Sequence, residues 1–304
     1  MQILVVGGAG MIGGHAALFL QSKGHTVTVG GRHRLDSVPL LAALPFLEVD
    51  YVAGTITKEQ LAAFDAIVFT AGADMRHVPK GEDPAAFLIR ANGEAVPAFA
   101  KLARSAGVKN FVHVGSAYPY IVPDLVEASA YLRSRKLAAD GVAATSTTDF
   151  SACSIDPPFV VGTVPGMIVP VFQAYIQYAE GKFGLPESAP VGALNFISVR
   201  SLSEAIAGAL ENGPAVSGRT ILVGDENWSY ATYLEKFFKA VRKTDVKLEV
   251  REEEHPMMPR WSLYAQDRVV SYEPDPEDVK RLGNYRRHDV DNAIEEIIAA
   301  YHQE

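Results

Sequence analysis

The sequence predicts an α/β fold: a doubly wound parallel sheet with a smaller C-terminal lobe. Three observations carry the prediction. Short β-branched runs alternate with amphipathic stretches through the first half of the chain, the pattern of a parallel sheet covered by helices. The first run, QILVV, empties into a glycine turn that opens a helix. Past DPPFVVG (156–162) the texture shifts to loops punctuated by glycine and proline and rich in aromatics. The division falls at 1–160 for the sheet domain and 161–304 for a lobe laid over the sheet's carboxyl edge, with parts of its chain returning to the sheet.

Taken in order, QILVVG, HTVTVGG, FLEVDYV, DAIVFTAG, NFVHVGSA and DFSACSI read as six parallel strands. Between them, MIGGHAALFLQSKG, LDSVPLLAAL and TKEQLAAF read as helices, a long helix lies within 84–106, and another lies around 125–144. Pro97 predicts a kink or restart of the long helix near Asn92 and Gly93. Further helices are expected at 201–211, 229–242 and 289–302, with a strand at 219–224. The charged segments REEE (251–254) and EPDPED (273–278) read as solvated surface.

With 304 residues, 48% of them apolar, the chain can bury a sizeable core. A net charge of −8 leaves no broad basic face for nucleic acid, and no apolar run reaches the roughly 18 residues of a membrane span. The opening residues already read as a strand, so the cytoplasm is the expected compartment. Cys153, the single cysteine, excludes an internal disulfide and reads as core packing within FSACSI. His15, His25, His77 and His113 have no partners at metal-ligand spacing, and no metal is expected.

In VVGGAGMIGG, Gly7, Gly10 and Gly13 leave a tight turn without side chains. The backbone N–H groups around Met11 and Ile12 and the positive helix end can then approach a pyrophosphate. After the second strand, where NAD-selective proteins place a carboxylate, come Arg32, His33 and Arg34; guanidinium groups there suit a 2′-phosphate, and NADP(H) is the expected cofactor. Thr55 and Ile56 offer an adenine face, and Thr70, Ala71 and Gly72 let the backbone pass close to the second ribose. Asp74, Met75, Arg76 and His77 follow the fourth strand at the substrate mouth. Trp261, Phe172, Tyr175 and Phe196 read equally as pocket wall or as core.

These residues resemble the short-chain dehydrogenase/reductase superfamily, in its extended or atypical branch of epimerase/dehydratase-like proteins. The resemblance runs over nearly the whole chain and is carried by GGAGMIG, TAG (70–72), DPAAFLIRANGEAVPAFAKLARSAGVKNFVHVGSA with Asn92 in the helix-asparagine position, and PPFVVG, which adds Pro157, Phe159 and Val160 to the cofactor contacts. In the C-terminal lobe Arg200 or Ser201 stands where the family usually shows Asp. The resemblance implies that Ser116 positions the substrate oxygen, that Tyr131 exchanges its proton, and that a base beside Tyr131 holds the nicotinamide ribose and acidifies the phenol. It also implies a homodimer.

YLRSRKLAAD (131–140) leaves that base open. In a straight helix Arg135 shares a face with Tyr131, whereas Lys136 lies about 140° away. A π-bulge would instead bring Lys136 round, in the register of the family's lysine. A third alternative has neither base working with Tyr131, leaving Tyr118, Tyr120 or no residue as the acid. The expected function is an NADP(H)-dependent oxidoreductase, most simply a carbonyl reductase moving hydride between cofactor and a small or medium, largely apolar carbonyl or hydroxyl compound. The alternatives are a sugar-nucleotide epimerase or dehydratase and a non-catalytic NADP(H)-sensing regulator.

Overall fold

The structure is a computed structural model. It describes residues 1–302, with the side chain of Trp261, a candidate for the pocket wall, outside the described residues. The six expected strands form as β1 (Gln2–Val6), β2 (Thr26–Gly31), β3 (Phe46–Glu48), β4 (Ala66–Phe69), β5 (Asn110–Val114) and β6 (Ser151–Asp156). The remaining strands are β7 (Phe159–Val161), β8 (Ser188–Pro190), β9 (Ala193–Ser198), β10 (Thr220–Leu222), β11 (Glu226–Ser229) and β12 (Glu249–Arg251). The main sheet runs β10-β6-β5-β4-β1-β2-β3, and each pair is parallel. Chain order reverses between β1 and β4, the switch point at which open α/β sheets bind ligands.

β1 and β4 are continuous apolar runs because helices cover both sheet faces: Ile3 to Val6 and Ala66 to Phe69 have essentially no accessible surface. Each such large side chain contributes about 1.5–3 kcal/mol relative to exposure. Helix Met11–Ser22 packs one face together with helix Val199–Glu211 from the C-terminal region, the two joined by His15 Nδ1 and Ser203 Oγ at 2.8 Å.

The long helix expected over 84–106 has three parts. Pro84–Leu88 is capped by Asp83, Ile89–Glu94 is π-helical, and Ala95–Ser105 resumes the α form. Pro97 supplies the cause: it offers no N–H to the carbonyl of Gly93 and crowds it, so the chain widens by a residue just before the proline. Helix Ala130–Ala143 is α-helical throughout. The bulge suggested for that helix is absent, and the helix beside it carries one instead.

The C-terminal region has an aromatic core. Phe172, Tyr175, Phe196, Tyr233 and Phe237 are buried in it, so the first three are packing residues and not pocket wall. β7, β9 and β11 form a small sheet over this core. Where the family's aspartate was expected, Ser198 Oγ accepts the Ser201 N–H at 2.9 Å and donates to Asp289 Oδ2 at 2.7 Å. The carboxylate comes from a distant segment.

Gly141 lies in mid-helix because an added Cβ would meet Pro97 Cγ at 2.5 Å. Gly141→Ala, although favourable for an isolated helix, is therefore expected to cost about 1–3 kcal/mol by overpacking, read from urea denaturation; equal or higher stability would refute the contact.

Candidate functional site

The glycine turn forms as the sequence requires. Gly7 has φ +85°, and an added Cβ would lie 2.7 Å from Ala71 N; one on Gly13 would lie 2.4 Å from Gly7 O and 2.5 Å from Thr70 Oγ1. These glycines let β1, its helix and the end of β4 close on one another. Gly10 caps the helix without a side-chain acceptor, and no acidic residue occupies the first turn. The N–H groups of Met11, Ile12 and Gly13 therefore keep their donors for a ligand, and the positive helix end faces the switch point. Met11 and Ile12 also pack their side chains on the two cores. An uncapped, glycine-walled helix end of this kind fits the pyrophosphate of a dinucleotide.

The three basic residues after β2 differ in their surroundings. Arg32 and His33 are exposed, and Arg32 has no hydrogen-bond or ion-pair partner among the described residues. Arg34 instead turns away: it donates to Ala42 O and pairs with Asp36 at 3.1 Å. Of the two guanidinium groups expected to meet a 2′-phosphate, Arg34 is held within its own loop. Thr55 closes its own loop, accepting the Asp50 N–H at 2.9 Å, and Ile56 is buried. Tyr51, which the sequence gave no reason to select, lies edge-on to Phe69 within the fields of Arg135 and Arg32.

Arg135 is the inward base. It shares a helix face with Tyr131, is 7% exposed, and donates through Nη2 to Val114 O at 3.0 Å and Gly115 O at 2.8 Å. Its Nη1 lies against Gly72, where a Cβ would approach it to 2.3 Å. The guanidinium thus spans the carboxyl ends of β4 and β5. Lys136, on the outer face, pairs with Asp140 at 2.5 Å and is withdrawn from the candidate site. The reason is the unbroken α-helix, in which one residue of offset turns a side chain by about 100°.

Tyr131 stacks on Tyr264 of the C-terminal region, with ring centroids 4.0 Å apart and planes 10° apart. Tyr118 meets Tyr264 edge-on at 5.5 Å and is buried, which pushes its phenol well above the ordinary range. Tyr120 leans on Asp140 at 3.4 Å, and burial with the Asp156 and Asp140 charges likewise pushes its phenol up. Neither suits a proton exchanger near neutrality. Arg76 grips Asp74 at 2.6 Å; against the cost of partial burial, hydrogen bonds from His77 and Arg76 hold that carboxyl well below its usual range. A groove of about 520 Å³ opens beside Tyr131 and Tyr264, lined also by Met75, Asp83, Leu125 and Arg260.

Four expected cofactor contacts have structural work. Asn92 is buried: its side chain accepts the Ala73 N–H at 2.8 Å and donates to Ala73 O and Ser134 Oγ, tying the loop after β4 to the Tyr131 helix. Phe159 packs among Phe172, Phe196 and Tyr233. Val160 pairs with Ile197 across β7 and β9, and Pro157 accepts the Ala117 N–H at 2.9 Å, steadying the turn that carries Ser116. Asp156, passed over in the sequence, accepts the Ser116 N–H at 3.0 Å; an acid ending the apolar run FSACSI was its only signal. Elsewhere, Asp225, Glu226 and His288 cluster, but Arg287 and the backbone of His288 and Asp289 already occupy the Asp225 oxygens.

The sequence model of the NAD dependent epimerase/dehydratase family matches residues 3–224. The chain belongs to that family, within the extended short-chain dehydrogenase/reductase branch. No curated protein matches it. Among solved structures it is similar to gox2253 (19% identity, 99% of this chain and 98% of that one, TM-score 0.76). It is also similar to a UDP-glucose-4-epimerase from Stenotrophomonas maltophila with bound NAD and formylated UDP-arabinopyranose (19%, 100% and 98%, TM-score 0.74). A third is the UDP-N-acetylglucosamine 4-epimerase from Bacillus cereus (16%, 100% and 97%, TM-score 0.71). At these identities the likeness is one of fold. No helix among the described residues is long and apolar enough to cross a membrane.

The two bases should separate in a denaturation experiment. Arg135→Ala orphans two strand-end carbonyls and is expected to cost about 3 kcal/mol or more, whereas Lys136→Ala should stay within about 0.5 kcal/mol. The reverse order would place Lys136 inside.

Proposed function

We propose that this member of the epimerase/dehydratase family interconverts a secondary hydroxyl and a carbonyl on a sugar-nucleotide-type substrate, using a bound nicotinamide dinucleotide. The observation that carries the reading is the shared face of Tyr131 and Arg135 at the carboxyl ends of β4 and β5, next to the switch point, with Arg135 against Gly72. The cofactor, when bound, supplies the hydride acceptor and donor. The uncapped helix end and Gly7 and Gly13 would hold its pyrophosphate, and Arg135 would meet its nicotinamide ribose.

Tyr131 exchanges the proton of the reacting oxygen, and Ser116, on the turn after β5, orients that oxygen by hydrogen bonding. Arg135 differs from a lysine in one respect: it holds its charge permanently and relays no proton. The groove beside the tyrosine pair offers rings for a sugar to lie against, with Arg260 at its edge to meet a phosphate. The family and the epimerase neighbours support this substrate class over a small apolar carbonyl compound.

A second reading, net carbonyl reduction with NADPH, is favoured by Arg32, a free cation where an NAD-selective site carries a carboxylate. The cofactor separates the two: an epimerase or dehydratase recycles what it holds, whereas a net reductase must release oxidised cofactor at each turnover. Cofactor carried through purification, identified by mass, is expected to be NAD. NADP(H) held weakly, with its affinity cut about tenfold by Arg32→Ala, would establish the second reading instead.

Tyr131→Phe is expected to lower turnover of a UDP-sugar by about 10²-fold or more while leaving dinucleotide affinity within about twofold. Undiminished turnover would remove Tyr131 from the mechanism.

A further inference from the structure

Behind Arg135 stands a carboxyl that the proposed reaction does not use. Asp156 ends β6 and is fully buried. Its Oδ1 accepts the Ser116 N–H at 3.0 Å and the Ser154 hydroxyl at 2.7 Å, while its Oδ2 has no partner among the described residues. The same peptide that gives its N–H to Asp156 offers its oxygen, Gly115 O, to Arg135 Nη2 at 2.8 Å. One amide plane thus joins a guanidinium on its oxygen side to a carboxyl on its nitrogen side. Nothing can intervene, because a Cβ on Gly115 would lie 1.6 Å from Asp156 Oδ1.

We infer that gain and loss of the Asp156 proton, acting on the field of Arg135 across this shared peptide, sets the preference of the site for oxidised over reduced nicotinamide. The inference rests on the dinucleotide reading above. Its physics is charge counting. The oxidised ring carries a positive charge that the reduced ring lacks, so a neighbouring fixed cation repels only the oxidised form. An ionised Asp156 offsets that cation, and a protonated Asp156 leaves it uncompensated. In a dry interior such fields reach several ångströms.

Burial pushes the Asp156 carboxyl up to about 7, against the Ser154 hydrogen bond, the Arg135 charge and the Ser116 N–H, with Asp140 adding slightly. The groups facing it are few. From β5, His113 reaches it through Ser154 Oγ (Nδ1 at 2.9 Å), and burial holds that imidazole neutral. Burial also pushes up the Tyr120 and Tyr272 phenols and lifts the neighbouring Cys153 thiol to about 12. None of these four changes charge near neutrality. Arg135 and the Lys136-paired Asp140 complete the set from the Tyr131 helix. Since the raised value favours the proton in the folded chain, the carboxylate predominates only above about 7, and there the oxidised cofactor should gain.

The test is the ratio of dissociation constants for NAD⁺ and NADH, with NADP⁺ and NADPH in parallel, measured on the full chain from about pH 6 to about pH 8.5. Arg32 and His33, at the adenosine end, act alike on both forms and cancel. The ratio is expected to fall about threefold to tenfold as pH rises, and in Asp156→Asn to stay at its acid value. A ratio independent of pH in the native chain, or a slope that survives in Asp156→Asn, overturns the inference. Should that variant not fold, infrared difference spectra of the native chain decide: NAD⁺ binding near pH 7 should remove a protonated-carboxyl band that NADH leaves in place, and its persistence overturns the inference. If no dinucleotide binds at all, the underlying reading falls and takes this one with it.

Discussion

The site depends on one buried cation. Arg135 is nearly sealed from solvent, so its charge has to be met by the protein, and it is met by backbone: the carbonyls ending β5 accept it, and the next N–H passes the polarisation on to Asp156. Burying a guanidinium costs several kcal/mol unless its donors are satisfied, and this arrangement satisfies Nη2 while leaving Nε without a partner among the described residues. Gly72 and Gly115 are the counterparts of that choice. Each is free of a side chain where Arg135 or Asp156 approaches, so the cation, its two strand ends and its carboxyl form one packed unit.

Around that unit the chain is tied from both directions. The π-helical segment lets Asn92 face inward, where it clamps Ala73 and Ser134, so the loop leaving β4 and the helix bearing Tyr131 move as one body. The C-terminal region contributes Tyr264 over Tyr131 and the Arg268–Asp124 pair at 2.7 Å. That exposed pair adds little energy by itself, yet it joins the segment carrying Tyr264 to the turn before the Tyr131 helix. The tyrosine-lined groove is therefore built from two regions far apart in the chain, whereas the glycine turn is local to the first strand and helix.

What could be read from the linear chain follows the range of the interactions involved. QILVV running into the glycine turn specifies its own geometry, because steric freedom at Gly7 and close approach at Gly13 are properties of adjacent residues. Pro97 announced a break at Asn92 and Gly93 for the same reason. Arg34 was not legible in this way, because its contacts with Ala42 and Asp36 form only once the loop after β2 folds back. Phe159 was legible only as an aromatic beside a glycine-rich strand end, which serves a core as readily as a pocket, and in the fold it packs on Phe172, Phe196 and Tyr233.

The sequence by itself determined the alternating sheet and the family, since periodicity and glycine spacing are local records of burial and backbone shape. Only the tertiary structure decided between Arg135 and Lys136. The choice turned on whether the helix stayed straight, and that was settled by strand-end carbonyls about twenty residues upstream, at Val114 and Gly115. Tyr264 and Asp156 likewise became visible only when the C-terminal region and β6 were brought against the Tyr131 helix: a side chain's role in a buried electrostatic network depends on which charges and peptides it faces, and chain order does not contain that.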